Sequence, residues 1–136
     1  MDKLGLANIT ADLLNKGTQN KTVQELEEAI QELGASINIY SNKENITISG
    51  TTLARNYDKT LALAKEMLLE PRFDAQEFEL MKKATLASLR QQEANPNSVA
   101  RNTYNELIYG KENIRSKNTL GTSKTVKSIS LDDVKN

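Results

Sequence analysis

An α+β fold, with an antiparallel strand pair packed against several helices, is what this sequence predicts, and three features predict it. Apolar residues recur at helical spacing up to Gly34 and again from Asn56 onward. Between Ala35 and Thr51 the period changes to two. Gly, Pro and N-capping signatures fall at the borders between these segments. A length of 136 residues allows one modest domain, or part of one, and not two.

The segment from Gly5 to Thr18, GLANITADLLNKGT, reads as a helix with two different faces. Leu6, Ile9 and Leu13, joined by Ala7, Ala11 and Leu14, make a wide apolar surface. Asn8, Asp12 and Asn15 fall at i, i+4 and i+7 and line the opposite side, where metal ligands or catalytic groups can sit. Gly17 is the expected stop. Thr22 to Glu25 is a capping box that opens a second helix, with Val23, Leu26, Ala29, Ile30 and Leu33 as its buried stripe and Gly34 as its end. Its acidic residues Glu25, Glu27, Glu28 and Glu32 read as a solvated face rather than a cation site, since carboxylates in the first turns favour the helix dipole.

Ala35, Ile37 and Ile39 alternate with Ser36, Asn38 and Tyr40, and Ile46, Ile48 and Gly50 alternate with Thr47, Ser49 and Thr51. With Asn42 to Glu44 as the turn, the two segments read as an antiparallel hairpin with one wet face. A helix follows from about Asn56 to Glu70, with Tyr57, Leu61, Ala64 and Leu68 on one face and Pro71 at its end. Asp74 to Glu77 is a further capping box, starting a long helix through Phe78, Met81, Ala84, Thr85 and Leu89 to about Ala94. Asn95-Pro96 breaks it. The next helix, from about Ser98 to Tyr109, is expected to bury Val99, Thr103 and Leu107 or the neighbouring Tyr104 and Ile108, and to stop at Gly110. Lys111 to Lys127 is polar and loop-like, and Ser130 reads as the N-cap of a last helix. Tyr40, Tyr57, Tyr104 and Tyr109 read as packing residues with a wet hydroxyl.

Eighteen basic and eighteen acidic residues are interleaved along the chain, so charge draws it neither to nucleic acid nor to an anionic membrane. There is no Cys, hence no disulfide, thiol nucleophile or thiolate metal site. There is no His either, and catalytic zinc ordinarily takes at least one imidazole. The usual nucleophile and base pairs therefore cannot be assembled, and nothing in the spacing singles out a Lys-activated Ser. The six Gly are dispersed without a phosphate-binding pattern. No run has the length of a membrane span, and the first residues show no export signal, which leaves the compartment unassigned.

Several short motifs occur in a definite order: GLA at 5–7, LL-x-x-GT at 13–18, LGA at 33–35, EPRF at 70–73, NP at 95–96, LIYG at 107–110, GT at 121–122 and SISLDDV at 128–134. In that order they resemble the M16 metallopeptidases, the family of insulinase, pitrilysin and mitochondrial processing peptidase. The resemblance implies an M16/LuxS-like metallohydrolase domain. Its active members carry H-x-x-E-H on the first helix, two His binding zinc and a Glu polarising the attacking water. Those positions are Asn8, Ala11 and Asp12 here. The family's third ligand, a Glu on the long helix, falls at about Ser88, and the nearest carboxylate, Glu93, lies further along.

The resemblance thus implies an inactive copy of the domain, with no catalytic residue, no metal ligand and no assigned binding residue in this chain. It also implies that residues 1–136 are one partial domain, lacking flanking strands at both ends. The expected function is that of a non-catalytic M16-type domain that pairs with an active, zinc-bearing lobe to enclose a peptide substrate. No cofactor is expected in this chain, and zinc only in the active partner. A structural assembly subunit of the core-protein type is the alternative, and a metalloenzyme using Asp12, Asn8 and a distant carboxylate is a third. The expected partners are an active M16 lobe or subunit, a peptide and a further copy of the chain, with no nucleic acid and no membrane insertion.

Overall fold

The computed structural model describes residues 3–136, and its central element is the helix α1, Leu6–Leu14. The apolar residues of α1 divide between two cores. Ile9 and Leu13, four apart and both fully buried, join Phe78, Leu89, Val126, Ile129 and Val134. Ala11 and Leu14, three apart, join Leu26, Ile39, Leu63 and Met67. One short helix therefore holds two half-cores together, because the i, i+3 and i, i+4 rows on adjacent stripes face different neighbours.

The second core is built from α2 (Val23–Glu32), the strands β1 (Ser36–Ser41) and β2 (Ile46–Thr51), and α3 (Tyr57–Leu69). The Thr22 capping box is complete: its hydroxyl accepts from Glu25 N, and Thr22 N donates to the Glu25 carboxylate at 2.8 Å. The strands pair antiparallel with Ile39 opposite Ile48 and Ile37 opposite Gly50, so the residues expected on one face do share it. Helix α3 turns a different face inward from the one its sequence suggests. Thr60, Leu63 and Met67 are buried, whereas Tyr57, Leu61 and Leu68 are exposed. Apolar residues such as Leu61, Ala62, Leu63, Leu68 and Leu69 fall on more than one side of the helix, so its pattern leaves the phase open. A bond between the Thr60 and Thr52 hydroxyls at 2.8 Å lets a polar residue take an inward position.

The first core is roofed by α4 (Ala75–Ala94), α6 (Ser123–Ser128) and α7 (Leu131–Lys135). Asp74 Oδ1 accepts from the Gln76 and Glu77 amides, but α4 lacks the reciprocal half of the predicted capping box. Phe78, Thr85 and Leu89 are buried as expected, and Ala84 is exposed. All but the last residue of helix α6 falls in the segment from Lys111 to Lys127, read from the sequence as loop. Thr122 and Thr125 form its capping box, and Val126 reaches the core fully buried. Thr replaces the usual Glu or Gln in that box, and six residues are too few to show a period.

Helix α5 (Pro96–Tyr109) begins on Asn95, whose Oδ1 accepts from Asn97 N and Ser98 N, with Pro96 in the first turn. It buries none of its residues. Val99, Tyr104, Leu107 and Ile108 are all exposed, Leu107 at 80%, against the expectation of a buried stripe. Periodicity identifies an apolar face but not whether anything covers it. The four Tyr are exposed as well.

Two glycines let the N-terminal and C-terminal segments approach each other. A Cβ on Gly5 would lie 2.5 Å from Leu120 O, and one on Gly121 would lie 2.2 Å from Leu4 O. Both have positive φ, +96° and +82°, so the reciprocal contact requires glycine twice over. Thr125 Oγ1 donates to Leu4 O at 2.8 Å, and Lys3 Nζ donates to Asp133 Oδ2 at 2.7 Å, closing the same junction. No helix among the described residues is long and apolar enough to cross a membrane.

Candidate functional site

The polar side of α1 carries the residues that stand where the resemblance places a metal site. Asn8 and Asp12 lie one turn apart and bond to each other, Asn8 Nδ2 donating to Asp12 Oδ2 at 3.0 Å. Burial pushes the Asp12 carboxyl above its ordinary value, although Lys16 and the Asn8 amide both favour the charged form. Desolvation is therefore the larger effect at this face.

Ala11, at the position of the water-polarising Glu, is fully buried among Leu14, Leu26, Ile39, Leu63 and Met67. Its methyl is part of the second core. A carboxylate there would have to leave solvent or displace its neighbours. Ser88 lies on the exposed side of α4, next to the buried Leu89. Glu93 lines an open cleft of about 340 Å³ between α4, α5 and the segment around Asn118, a cleft whose walls include neither Asn8 nor Asp12.

This donor set does not fit zinc. It offers one carboxylate, one amide whose nitrogen already bonds to that carboxylate, and a methyl group, while zinc sites use three or four His, Cys or carboxylate donors. Among the described residues no three His, Cys, Asp or Glu side chains are grouped as a metal site would need. The four Glu of α2 form no such group either.

Asn15, the third residue of the polar line, has a separate role that the sequence did not reveal. Its Nδ2 donates to Ala11 O at 2.9 Å and to Ile39 O at 2.7 Å, and its Oδ1 accepts from Ile39 N at 3.0 Å. The carboxamide thus bonds the backbone of β1 as a neighbouring strand would. The only signal in the sequence is a short amide in the last turn of a helix, which does not name a partner 24 residues away.

Beyond α1, the turn from Gly17 to Lys21 is tied to the end of α3. Thr18, fully buried, donates from Oγ1 to Glu66 Oε1 at 2.6 Å, and Lys21 Nζ bonds both Glu66 oxygens at 3.0 and 2.8 Å. These bonds, Lys21 first and Thr18 next, hold the Glu66 carboxyl below its ordinary value. The cluster fixes where α1 ends relative to α3, a structural task.

Comparison with known proteins points to the same family. The family model for insulinase, peptidase family M16, matches residues 1–122. The non-peptidase homolog YmxG of Helicobacter pylori is 28% identical over 98% of this chain and 31% of its own length. A probable mitochondrial-processing peptidase subunit beta of Arabidopsis thaliana is 25% identical over 97% of this chain and 25% of its own length. Among solved structures, a peptidase M16 inactive domain from Pseudomonas fluorescens superposes with a TM-score of 0.90 at 25% identity, covering 98% of this chain and 32% of that one. The chain thus spans between a quarter and a third of the length of these relatives. With Asn8, Ala11 and Asp12 in place of H-x-x-E-H, the chain belongs to the insulinase family of peptidases, M16, as a copy without the zinc-binding motif.

Proposed function

We propose that this chain is a non-catalytic part of an M16 peptidase, forming one wall of a chamber whose other wall is an active, zinc-bearing lobe or subunit, and that a peptide is enclosed between them. The observation that carries this reading is Ala11. The motif position that would polarise water holds a methyl sealed into the core, while the helix that displays it and the two cores around it remain intact. Conserving the scaffold while filling the reactive position is what a supporting domain requires. Zinc belongs to the partner in this reading, and residues 1–136 are a portion of a domain completed by further strands.

The test is elemental analysis of the purified chain together with cleavage of a quenched peptide, first alone and then with a candidate active M16 subunit. The expected result is no stoichiometric zinc and no cleavage alone, with peptide binding or cleavage gained on pairing. Stoichiometric zinc with chelator-sensitive cleavage by the chain alone would overturn the reading. A stable complex that neither binds nor cleaves peptide would replace it with an assembly role.

A further inference from the structure

Beyond α1, the chain passes once between its two cores. It builds the second core through α2, the hairpin and α3, then crosses at residues 70–74 and builds the first through α4 to α7. Helix α1 is itself divided along its length. The residues before it are tied to the C-terminal segment, Leu4 O by Thr125 and Gly5 by its contact with Leu120. Those after it are tied to the second core, Asn15 to Ile39 and Thr18 to Glu66.

The crossing is pinned almost throughout. Gln19 N donates to Glu70 O at 2.8 Å, Thr18 pairs with Pro71, and Arg72 N donates to Gly17 O at 3.3 Å, while Asp74 already caps α4. Phe73 alone lies between. It is the one non-glycine residue with positive φ among the described residues, at +45°, a conformation that a residue with a Cβ adopts only at a cost. Its side chain is also the one packed against both cores. Strain of this kind persists where the surroundings over-determine it, and here two cores hold the same side chain.

Away from α1 and this crossing, one polar tie joins the two halves directly among the described residues. Arg115 Nε donates to Glu44 Oε1 at 2.8 Å, and Lys43 Nζ donates to Arg115 O, so the hairpin turn is held to the single turn Ile114–Ser116. Both side chains of the ion pair are more than half exposed, which makes it a weak tie. It lies by the start of α1, where Leu4, Gly5 and Ala7 share a small hollow with Lys43 and Ile114, whereas Phe73 follows the contact of Arg72 with Gly17 beyond the end of α1. Beside the tie, an open cleft of about 580 Å³ runs between the hairpin turn and Asn105, Tyr109 and Thr119.

We propose that the chain is a latched hinge: the half carrying the hairpin swings about Phe73, and the Glu44–Arg115 pair holds it shut against the half carrying α5. Release of the pair widens the cleft between the hairpin turn and Tyr109. An exposed ion pair contributes little and is screened by salt, so the closed form gives way as ionic strength rises. Each part of the hinge is a contact within the chain, independent of the strands that complete the domain and of a zinc-bearing partner.

The chain has no Cys, so introduced pairs take spin labels without background. Asn45→Cys on the hairpin turn with Arg101→Cys on α5 reports across the cleft, and Lys83→Cys with Arg101→Cys reports within the α4 and α5 half. Dipolar distance measurements between the labels are made at low and high salt, with circular dichroism to verify that each variant is folded. The expected result is one dominant distance across the cleft at low salt. A second, longer distance rises in share by about two- to fivefold in high salt or with Glu44→Gln, the factor that an exposed ion pair is worth. Phe73→Gly, which removes both the strain and the shared side chain, broadens the distribution across the cleft. The distance between α4 and α5 stays fixed in every case. A cleft distance indifferent to salt and to Glu44→Gln, a Phe73→Gly distribution as narrow as the parent's, or a distance between α4 and α5 that shifts along with the cleft would overturn the proposal.

Discussion

The carboxamide of Asn15 bonds both backbone groups of Ile39, accepting from its N–H at 3.0 Å and donating to its C=O at 2.7 Å. Ile39 is itself 1% exposed, so those backbone groups have little water to fall back on. Asn15→Ala is expected to cost about 2–4 kcal/mol, because it leaves a buried donor and acceptor unpaired together. Asn15→Asp should also destabilise, since a carboxylate cannot donate to Ile39 O. Urea denaturation monitored by circular dichroism measures both.

At Asp12 the expected sign is the reverse. Its carboxyl is pushed above the ordinary value of 3.8, so ionisation opposes folding. The penalty is complete above the raised value and vanishes below 3.8, where both states are protonated. Asp12→Asn, whose amide oxygen can still accept from Asn8, should raise the melting temperature at neutral pH and have no such benefit in strong acid. A series of thermal melts against pH shows whether the two curves converge.

The carboxyl of Asp133 behaves oppositely, being lowered from 3.8 to about 2 by Lys3 and then by the Ser130 cap. A lowered value contributes stability that is present above 3.8 and is lost as pH falls toward 2. Lys3→Met should return the Asp133 titration toward its ordinary value and flatten the acid limb of the stability curve. Carboxyl carbon chemical shifts followed through an acid titration report it directly. Glu66, lowered by Lys21 and Thr18, adds an acid limb of the same sign.

Ala11→Glu should destabilise the chain by about 3 kcal/mol or more, through both overpacking and the burial of a carboxyl group in an apolar cluster. Adding Asn8→His, Asp12→His and Ser88→Glu to it restores the residue types of the family motif but not the space around position 11. Equilibrium unfolding of the single and quadruple variants, with zinc measured on each, separates a packing cost from a missing ligand. Full stability in the single variant would remove the argument that the position is sealed.

What the sequence revealed and what it withheld divide along a physical line. Helices and strands with a one-sided pattern, such as α2 and the hairpin, were legible because periodicity and caps are local properties. The motif order and the loss of the His and Glu at Asn8, Ala11 and Asp12 were legible for the same reason. Facts set by distant partners were not. The inward face of α3 depends on a hydroxyl pair between Thr52 and Thr60, α6 depends on a place for Val126 in the core, and the bareness of α5 depends on what does not lie over it. The role of Asn15 belongs to this second group, since the polar line it shares with Asn8 and Asp12 says nothing of Ile39.

The reciprocal contact of Gly5 with Leu120 and of Gly121 with Leu4 has a kinetic consequence. Together with the Lys3–Asp133 pair, whose residues are separated by 130 positions, it means that the first core is closed only when the two extremities of the described chain meet. Local structure such as α2 and the β1–β2 hairpin can form early, but the seat of Ile9 and Leu13 must wait for the latest and longest loop closure. Gly121→Ala, which obstructs that meeting, should therefore leave the early phases of refolding untouched and lower the yield of the last one. The step that completes the first core is the meeting of Lys3, Leu4 and Gly5 with Leu120, Gly121 and Asp133.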